Sequence, residues 1–248
     1  MRTLGKYIIF MGSLFVNREK FKAYIRVTVD ECIRIGVDSV FIVAITGTFI
    51  GAVATLQIAF NLGSPATPMS VVGTFVREMI LLEFAPTFTC IILAGKVGSN
   101  IAGSLGNMRI SEQIDAIEVM GVNAASYLVL PKIIAALLTI PMLCALSAFL
   151  SILGGYIAAS LTSVVTPAEY IWGVRFDFAT GGMYFAGIKV FTYAFLMSSI
   201  SSFNGFFTRG GALEVGQSST KAVTRSTIAI LFADYLLALA FADVFLGQ

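Results

Sequence analysis

The apolar residues of this chain arrive in five long runs, at about Val37 to Phe60, Ser70 to Ala94, Ile133 to Leu161, Gly182 to Phe203 and Ile228 to Leu246. A helix needs roughly 18 to 25 apolar residues to cross the hydrocarbon core of a bilayer, so each run has the length of one crossing. Of the 248 residues, 57% are hydrophobic and only 12% are charged, too few charges to cover a globular surface. The expected fold class is therefore all-α: a polytopic membrane protein with five transmembrane helices. The third run is long enough to tilt or to extend beyond the bilayer, and Pro141 predicts a kink in it.

Ahead of the first run, Leu4, Tyr7, Ile8, Met11, Leu14 and Phe15 recur at helical spacing among Arg2, Lys6, Arg18, Lys20, Lys22, Arg26 and Arg34. That pattern predicts an amphipathic helix on a membrane surface across residues 1–35, separate from a permeating body over residues 36–248. A signal peptide is the competing reading; Gly12 and Ser13 interrupt the apolar stretch, and no A-x-A-like cleavage site precedes Lys20. Six of the nine remaining basic residues gather in the 95–132 segment (Lys96, Arg109, Lys132) and the 204–227 segment (Arg209, Lys221, Arg225). The 61–69 turn has none and the 162–181 loop has only Arg175. Because Lys and Arg near span ends stay on the cytoplasmic side, the N-terminus is expected in the cytoplasm. An odd number of crossings then puts the C-terminus outside.

Charges within spans are costly and face a bundle interior or a wet cavity. They are Arg77, Glu78 and Glu83 in the second span, Lys189 in the fourth and Asp234 in the fifth, with Asp243 near the outer end. An ammonium flanked by two carboxylates offsets much of its own burial cost, so Glu83, Lys189 and Asp234 are expected to share one polar cluster. Such a cluster either pins helix packing or takes part in transport. Pro86 has no amide hydrogen and so releases the carbonyl of Leu82 beside Glu83, which makes this part of the second span irregular. Gly47 and Gly51 form a GxxxG pair suited to close helix approach.

The segment after the second span predicts a short helix between Gly106 and Gly121, about residues 107–121, with Ser111 as N-cap and Gly121 as its stop. Glu112, Asp115 and Glu118 recur along one side, and Ile114, Ile117 and Met120 along another. Acidic residues suit anionic headgroups poorly, which favours a protein partner over a helix resting on the membrane.

Several chemistries are disfavoured. The sequence has no histidine, the commonest general base and metal ligand, and Cys32, Cys90 and Cys144 lie too far apart for a CxxC site. Gly216, Gln217 and Ser218 give a lone GxS fragment with no histidine to activate the serine. No G-x-x-x-x-G-K-[ST] loop is present, so energy must enter through a partner or an ion gradient. No catalytic residue, cofactor, metal or nucleic-acid partner is expected. A secondary transporter driven by an ion gradient remains the alternative, although the internal repeats common in that class are not evident.

The stretch AGKVGSNIAGSLGNMRISEQIDAIEVMGV resembles the signature region of the MlaE/YrbE family of ABC-transporter permeases. The likeness continues through YLVLPKIIA, SSFNGFFTRGGALEVGQSSTKAVTRS and LFADYLLA, covering most of the chain from about residue 40. The resemblance implies a homodimer in the bacterial inner membrane. It implies a separate ATPase and an outer MCE-domain protein as partners, and phospholipid or a related lipid as cargo. It also implies that the short cytoplasmic helix docks into the ATPase, with Arg109, Glu112, Asp115 and Glu118 at the contact. Where the family's second span carries Arg-Glu-Leu-Gly-Pro, this chain has Leu82, Glu83, Phe84, Ala85 and Pro86. Arg77 lies five residues before that missing arginine. Ser104 stands where the family often has glutamate, and Gln217 where a basic residue is usual.

Overall fold

The computed structural model describes residues 2–14, 21–62, 70–162, 164–176, 178 and 180–246. The turn at 63–69 lies outside the described residues, as do Phe15, Arg18 and Lys20, and so does the side chain of Asp243. Every regular element among the described residues is helical: α1 (Arg2–Ser13), α2 (Phe21–Ile35), α3 (Val40–Leu62), α4 (Ser70–Met79), α5 (Thr89–Leu93), α6 (Ser99–Ile110), α7 (Gln113–Val119), α8 (Ala124–Thr162), α9 (Pro167–Arg175), α10 (Thr180–Phe206) and α11 (Ala212–Leu246). Two π-helical segments, Ile80–Phe88 and Ala94–Gly98, join α4, α5 and α6 into one long helical span.

Among the described residues, five helical stretches are long and apolar enough to cross a membrane: Tyr24–Leu62, Ser70–Ile110, Ala124–Thr162, Gly181–Phe206 and Ala212–Phe241. They overlap the five apolar runs but extend past them. α8 has 39 residues, which at 1.5 Å each rise about 58 Å, far more than a hydrocarbon core of about 30 Å. α11 begins sixteen residues ahead of Ile228, because its first turns are polar yet helical. Hydropathy marks where a helix meets lipid, whereas backbone hydrogen bonding decides where it starts. α8 stays helical through Pro141.

Packing divides the chain into two compact units, one of residues 1–39, 91–140 and 191–240, the other of residues 40–90, 141–190 and 241–248. In the first, α1 lays Phe10 against Phe203, Phe206 and Phe207, with ring centroids 5.4 to 5.7 Å apart. The Tyr7 and Ser199 hydroxyls hydrogen-bond at 2.7 Å, and Asn123 Nδ2 donates to the Ser13 carbonyl at 2.8 Å. Ile8 and Ile9, on the other side of α1, are exposed. Lys132, buried, pairs with Glu31 at 2.5 Å, and Lys96 donates to the carbonyl of Asp38.

In the second unit α3 reverses the soluble-protein pattern. Phe41, Phe49 and Phe60 are exposed, while Gly47, Gly51, Ala54, Thr55 and Ala59 are buried. Small residues let helix backbones approach closely, and lipid tails accept the large side chains. The GxxxG pair serves this purpose against α8. Ser151 Oγ donates to the Gly47 carbonyl at 2.8 Å, and a Cβ on Gly51 would fall on the Ser151 carbonyl. Gly51→Ala is therefore expected to cost about 3 kcal/mol, since the obstruction is backbone and cannot rotate away. Gly95→Ala, where a Cβ meets nothing within 4 Å, is expected to be neutral. Thermal unfolding of the purified full chain followed by circular dichroism distinguishes the two.

The loop after α8 holds a helix that its sparse charge did not suggest. Thr166 caps α9 in a full capping box with Glu169, and Pro167 occupies the first turn. Tyr170 is buried and donates to the Ile152 carbonyl at 3.1 Å; burial pushes its phenol up to about 12, so it remains a neutral donor.

Candidate functional site

The second span is irregular where Pro86 interrupts it, and the second unit builds its polar site there. Pro86 has no N–H to give the Leu82 carbonyl four residues earlier, and the backbone widens to a π-helix across Ile80–Phe88. Lys189 of α10 reaches this ledge: its Nζ donates to Leu82 O at 3.2 Å and to Glu83 Oε1 at 2.6 Å. The Phe185 ring lies 4.8 Å from the same ammonium, a cation–π distance. The Lys189 side chain is fully buried, whereas that of Glu83 is 44% exposed. The pair is thus sealed on its cationic side and open on its anionic side.

Beside the ledge lies an apolar cavity of about 170 Å³, lined by Leu81, Ala85, Pro86, Pro141, Cys144 and Gly187 among others. Its volume suits a few methylenes and its lining offers them almost no polar atoms. Cys90 and Cys144 are buried with sulfurs 3.9 Å apart.

Of the other intramembrane charges, Arg77 turns to α9. Its guanidinium donates to the carbonyls of Val174 at 3.1 Å and Phe176 at 2.6 Å, where the last turn of α9 leaves acceptors exposed and the helix dipole is negative. It also pairs with Glu78 at 2.7 Å. Arg77 therefore ties α4 to the end of α9. Asp234, in the first unit, accepts from the Tyr193 hydroxyl at 2.6 Å. The structure brings Glu83 and Lys189 together; Tyr193, a partner of Asp234, was not foreseen from sequence.

The short acidic helix is α7, Gln113–Val119, and it differs in detail from expectation. Ser111 does not cap it. Ser111 Oγ bonds back to the Asn107 carbonyl at 2.7 Å at the end of α6, and Glu112 takes the N-cap position with φ of 58°. A left-handed non-glycine residue is strained, and here it makes the sharp reversal from α6 into α7. Gly121, at φ of 80°, ends the segment as expected. Ile114 is fully buried and anchors α7, and Arg109 pairs with Asp115 at 2.6 Å. Glu112, Asp115 and Glu118 are exposed, as are Val119 and Met120 at the tip.

A family model described as "Permease MlaE" matches residues 28–240, nearly all of the chain. The chain belongs to the MlaE permease family. Among relatives of this MlaE-family permease is a probable ABC transporter permease protein from Rickettsia bellii, 30% identical over 95% of this chain and 91% of that protein. Another, from Synechocystis, is 30% identical over 91% of this chain and 86% of its own length. A third is the chloroplast protein trigalactosyldiacylglycerol 1 of Arabidopsis thaliana, 29% identical over 92% of this chain and 65% of that protein. An MlaE-family permease is an ABC transporter permease and a multi-pass membrane protein, in line with the five membrane-length helices.

Two further features escaped the sequence reading. T-P-A-E at 166–169 is a capping-box signature and would have placed α9. The Glu31–Lys132 pair left no such signal, because residues 101 apart in sequence reveal no proximity.

Proposed function

We propose that this permease moves phospholipid or a related lipid between bacterial membranes, driven by a separate ATPase that docks on α7. Two copies form the moving body in the inner membrane, with N-termini cytoplasmic and C-termini outward. An MCE-domain protein on the outer side exchanges lipid with them. The observation that carries this reading is α7 itself: a helix held by one buried isoleucine, with three carboxylates and two apolar side chains left exposed. A partner that grips this surface gains both charge complementarity and an apolar contact. Closure of the ATPase would push α7 and, through Gly121 and α8, alter the permease. The Glu83–Lys189 pair would answer the headgroup while the apolar cavity beside it takes acyl methylenes. The glycerolipid in the Arabidopsis relative's name agrees with this cargo class.

Reconstitution tests it. Proteoliposomes holding this chain and its ATPase are expected to move labelled phospholipid only with hydrolysable ATP. Movement driven by a proton gradient in the absence of the ATPase would overturn the reading in favour of a secondary transporter.

A further inference from the structure

The 204–227 segment carries cations that the transport reading does not use. In the first unit a cavity of about 530 Å³ is lined by Lys6 from α1, Arg209 from the α10–α11 connection, and Gln217, Lys221 and Arg225 from α11. Phe203 and Phe207 form its apolar wall, and Phe207 is about half exposed. Gln217, Lys221 and Arg225 also line a second opening, of about 430 Å³.

Charge here is strongly one-sided. Among the described residues the ion pairs are Arg77–Glu78, Arg109–Asp115, Lys132–Glu31 and Lys189–Glu83, so the four cations of the cavity pair with no carboxylate. The one carboxylate in the lining, Glu214, accepts from the Gly211 amide at 2.8 Å at the start of α11. Lys221 and Arg225 are spaced i, i+4 on α11, where like charges repel. Arg225 is oriented by Asn204 Oδ1 at 2.6 Å, and Asn204 by the Ile200 carbonyl at 2.7 Å. The guanidinium is thus aimed without being neutralised. An anion in this space relieves the repulsion and meets cations from three different segments.

The apolar wall decides which anion. Phe203 and Phe207 continue into the aromatic contacts with Phe10 of α1, the helix that supplies Lys6 and exposes Ile8 and Ile9. A helix with exposed isoleucines beside a lysine suits the boundary between headgroups and acyl chains. A soluble anion has no use for the phenylalanines, but an amphiphile uses both halves.

We propose that this cleft binds the phosphate headgroup of an anionic phospholipid from the leaflet against which α1 lies. It is a site distinct from the Glu83–Lys189 ledge, and its occupancy requires neither ATP nor the ATPase. A lipid bound there clamps α1 to the α10–α11 connection.

The test uses the full chain, delipidated in a neutral detergent, with short-chain phosphatidylglycerol, short-chain phosphatidylcholine and inorganic phosphate as probes. Phosphatidylglycerol is expected to bind at least 10-fold tighter than phosphatidylcholine and to weaken as salt rises. R209Q/K221Q is expected to bind it about 30-fold more weakly, since two cations beside the headgroup are lost. R209K/K221R, which keeps both charges, is expected to retain most of the affinity. If the glutamine pair fails to fold, Lys6→Gln tests the same cleft from α1, with a several-fold loss expected. Equal binding of the two lipids, or unchanged phosphatidylglycerol binding in a folded variant, overturns the proposal. Inorganic phosphate binding as tightly as phosphatidylglycerol overturns the lipid assignment. Loss of ATPase copurification in R209Q/K221Q with lipid affinity intact would make the cleft a protein-docking surface and likewise overturn it. Failure of ATP-driven transport in the reconstitution above leaves this site standing, because the binding measurement involves no turnover.

Discussion

Reversing Glu112, Asp115 and Glu118 together to lysine is expected to cut recovery of the ATPase with the permease by more than 10-fold. The change alters the charge of α7 and its N-cap by six units, all on exposed side chains. Charge pairs at the edge of an interface each contribute modestly, but like charges brought face to face cost several kcal/mol, and tenfold in affinity is about 1.4 kcal/mol. The fold itself should survive. Ile114, which seats α7, is untouched, and the lost Arg109–Asp115 pair is largely exposed and contributes under about 1 kcal/mol. Copurification of the tagged permease with its ATPase, alongside circular dichroism and gel filtration, measures both. Undiminished ATPase recovery by a folded triple variant would remove α7 as the docking element. A variant that keeps the ATPase bound but loses coupling of hydrolysis to transport would assign α7 to transmission alone.

The parts of this protein readable from sequence share a physical origin. A crossing helix must be apolar over its whole lipid-facing length, so the five spans are written in composition, and a basic segment is written in local charge. Pro86 beside Glu83 was readable for the same reason: a missing amide hydrogen is a property of the residue. The GxxxG pair indicated close approach, and the structure supplies its counterpart, Ser147 and Ser151 of α8. What sequence did not carry was partnership across long separations. Lys189 could be paired in thought with Glu83 because both were costly in lipid, and the structure joins them 106 residues apart. The same logic had nothing to say about Tyr193 with Asp234, since a tyrosine in a span raises no alarm. Arg77 was grouped with the other intramembrane charges because the 162–181 segment was read as a loop. Once α9 exists, its exposed carbonyls account for the arginine. The Ser111 cap failed differently, because Ser111 serves the helix before it and leaves Glu112 to make the turn.

The Glu83–Lys189 pair separates stability from transport by the behaviour of its single and double variants. Glu83→Gln leaves a fully buried ammonium with only the Leu82 carbonyl and the face of Phe185 for compensation. Removing one partner of a buried ion pair costs about 3–5 kcal/mol, and the partial exposure of Glu83 places this case near the lower figure. For a chain of this size that corresponds to a fall in melting temperature of about 6–12 °C. Lys189→Met likewise strands one charge, the Glu83 carboxylate, inside a span and should also destabilise. Combining the two, E83Q/K189M, removes both charges while keeping similar volume, and is expected to recover most of the lost stability. Transport should behave otherwise. On the proposal that the pair answers the lipid headgroup, ATP-driven lipid movement by the stable double variant is expected to remain at least 10-fold below wild type. Thermal melts and flux on the same four proteins decide the matter. Wild-type flux in E83Q/K189M would reduce the pair to a device for holding α10 against the second span. A double variant as unstable as Glu83→Gln would show that the ammonium is not what makes the single change costly.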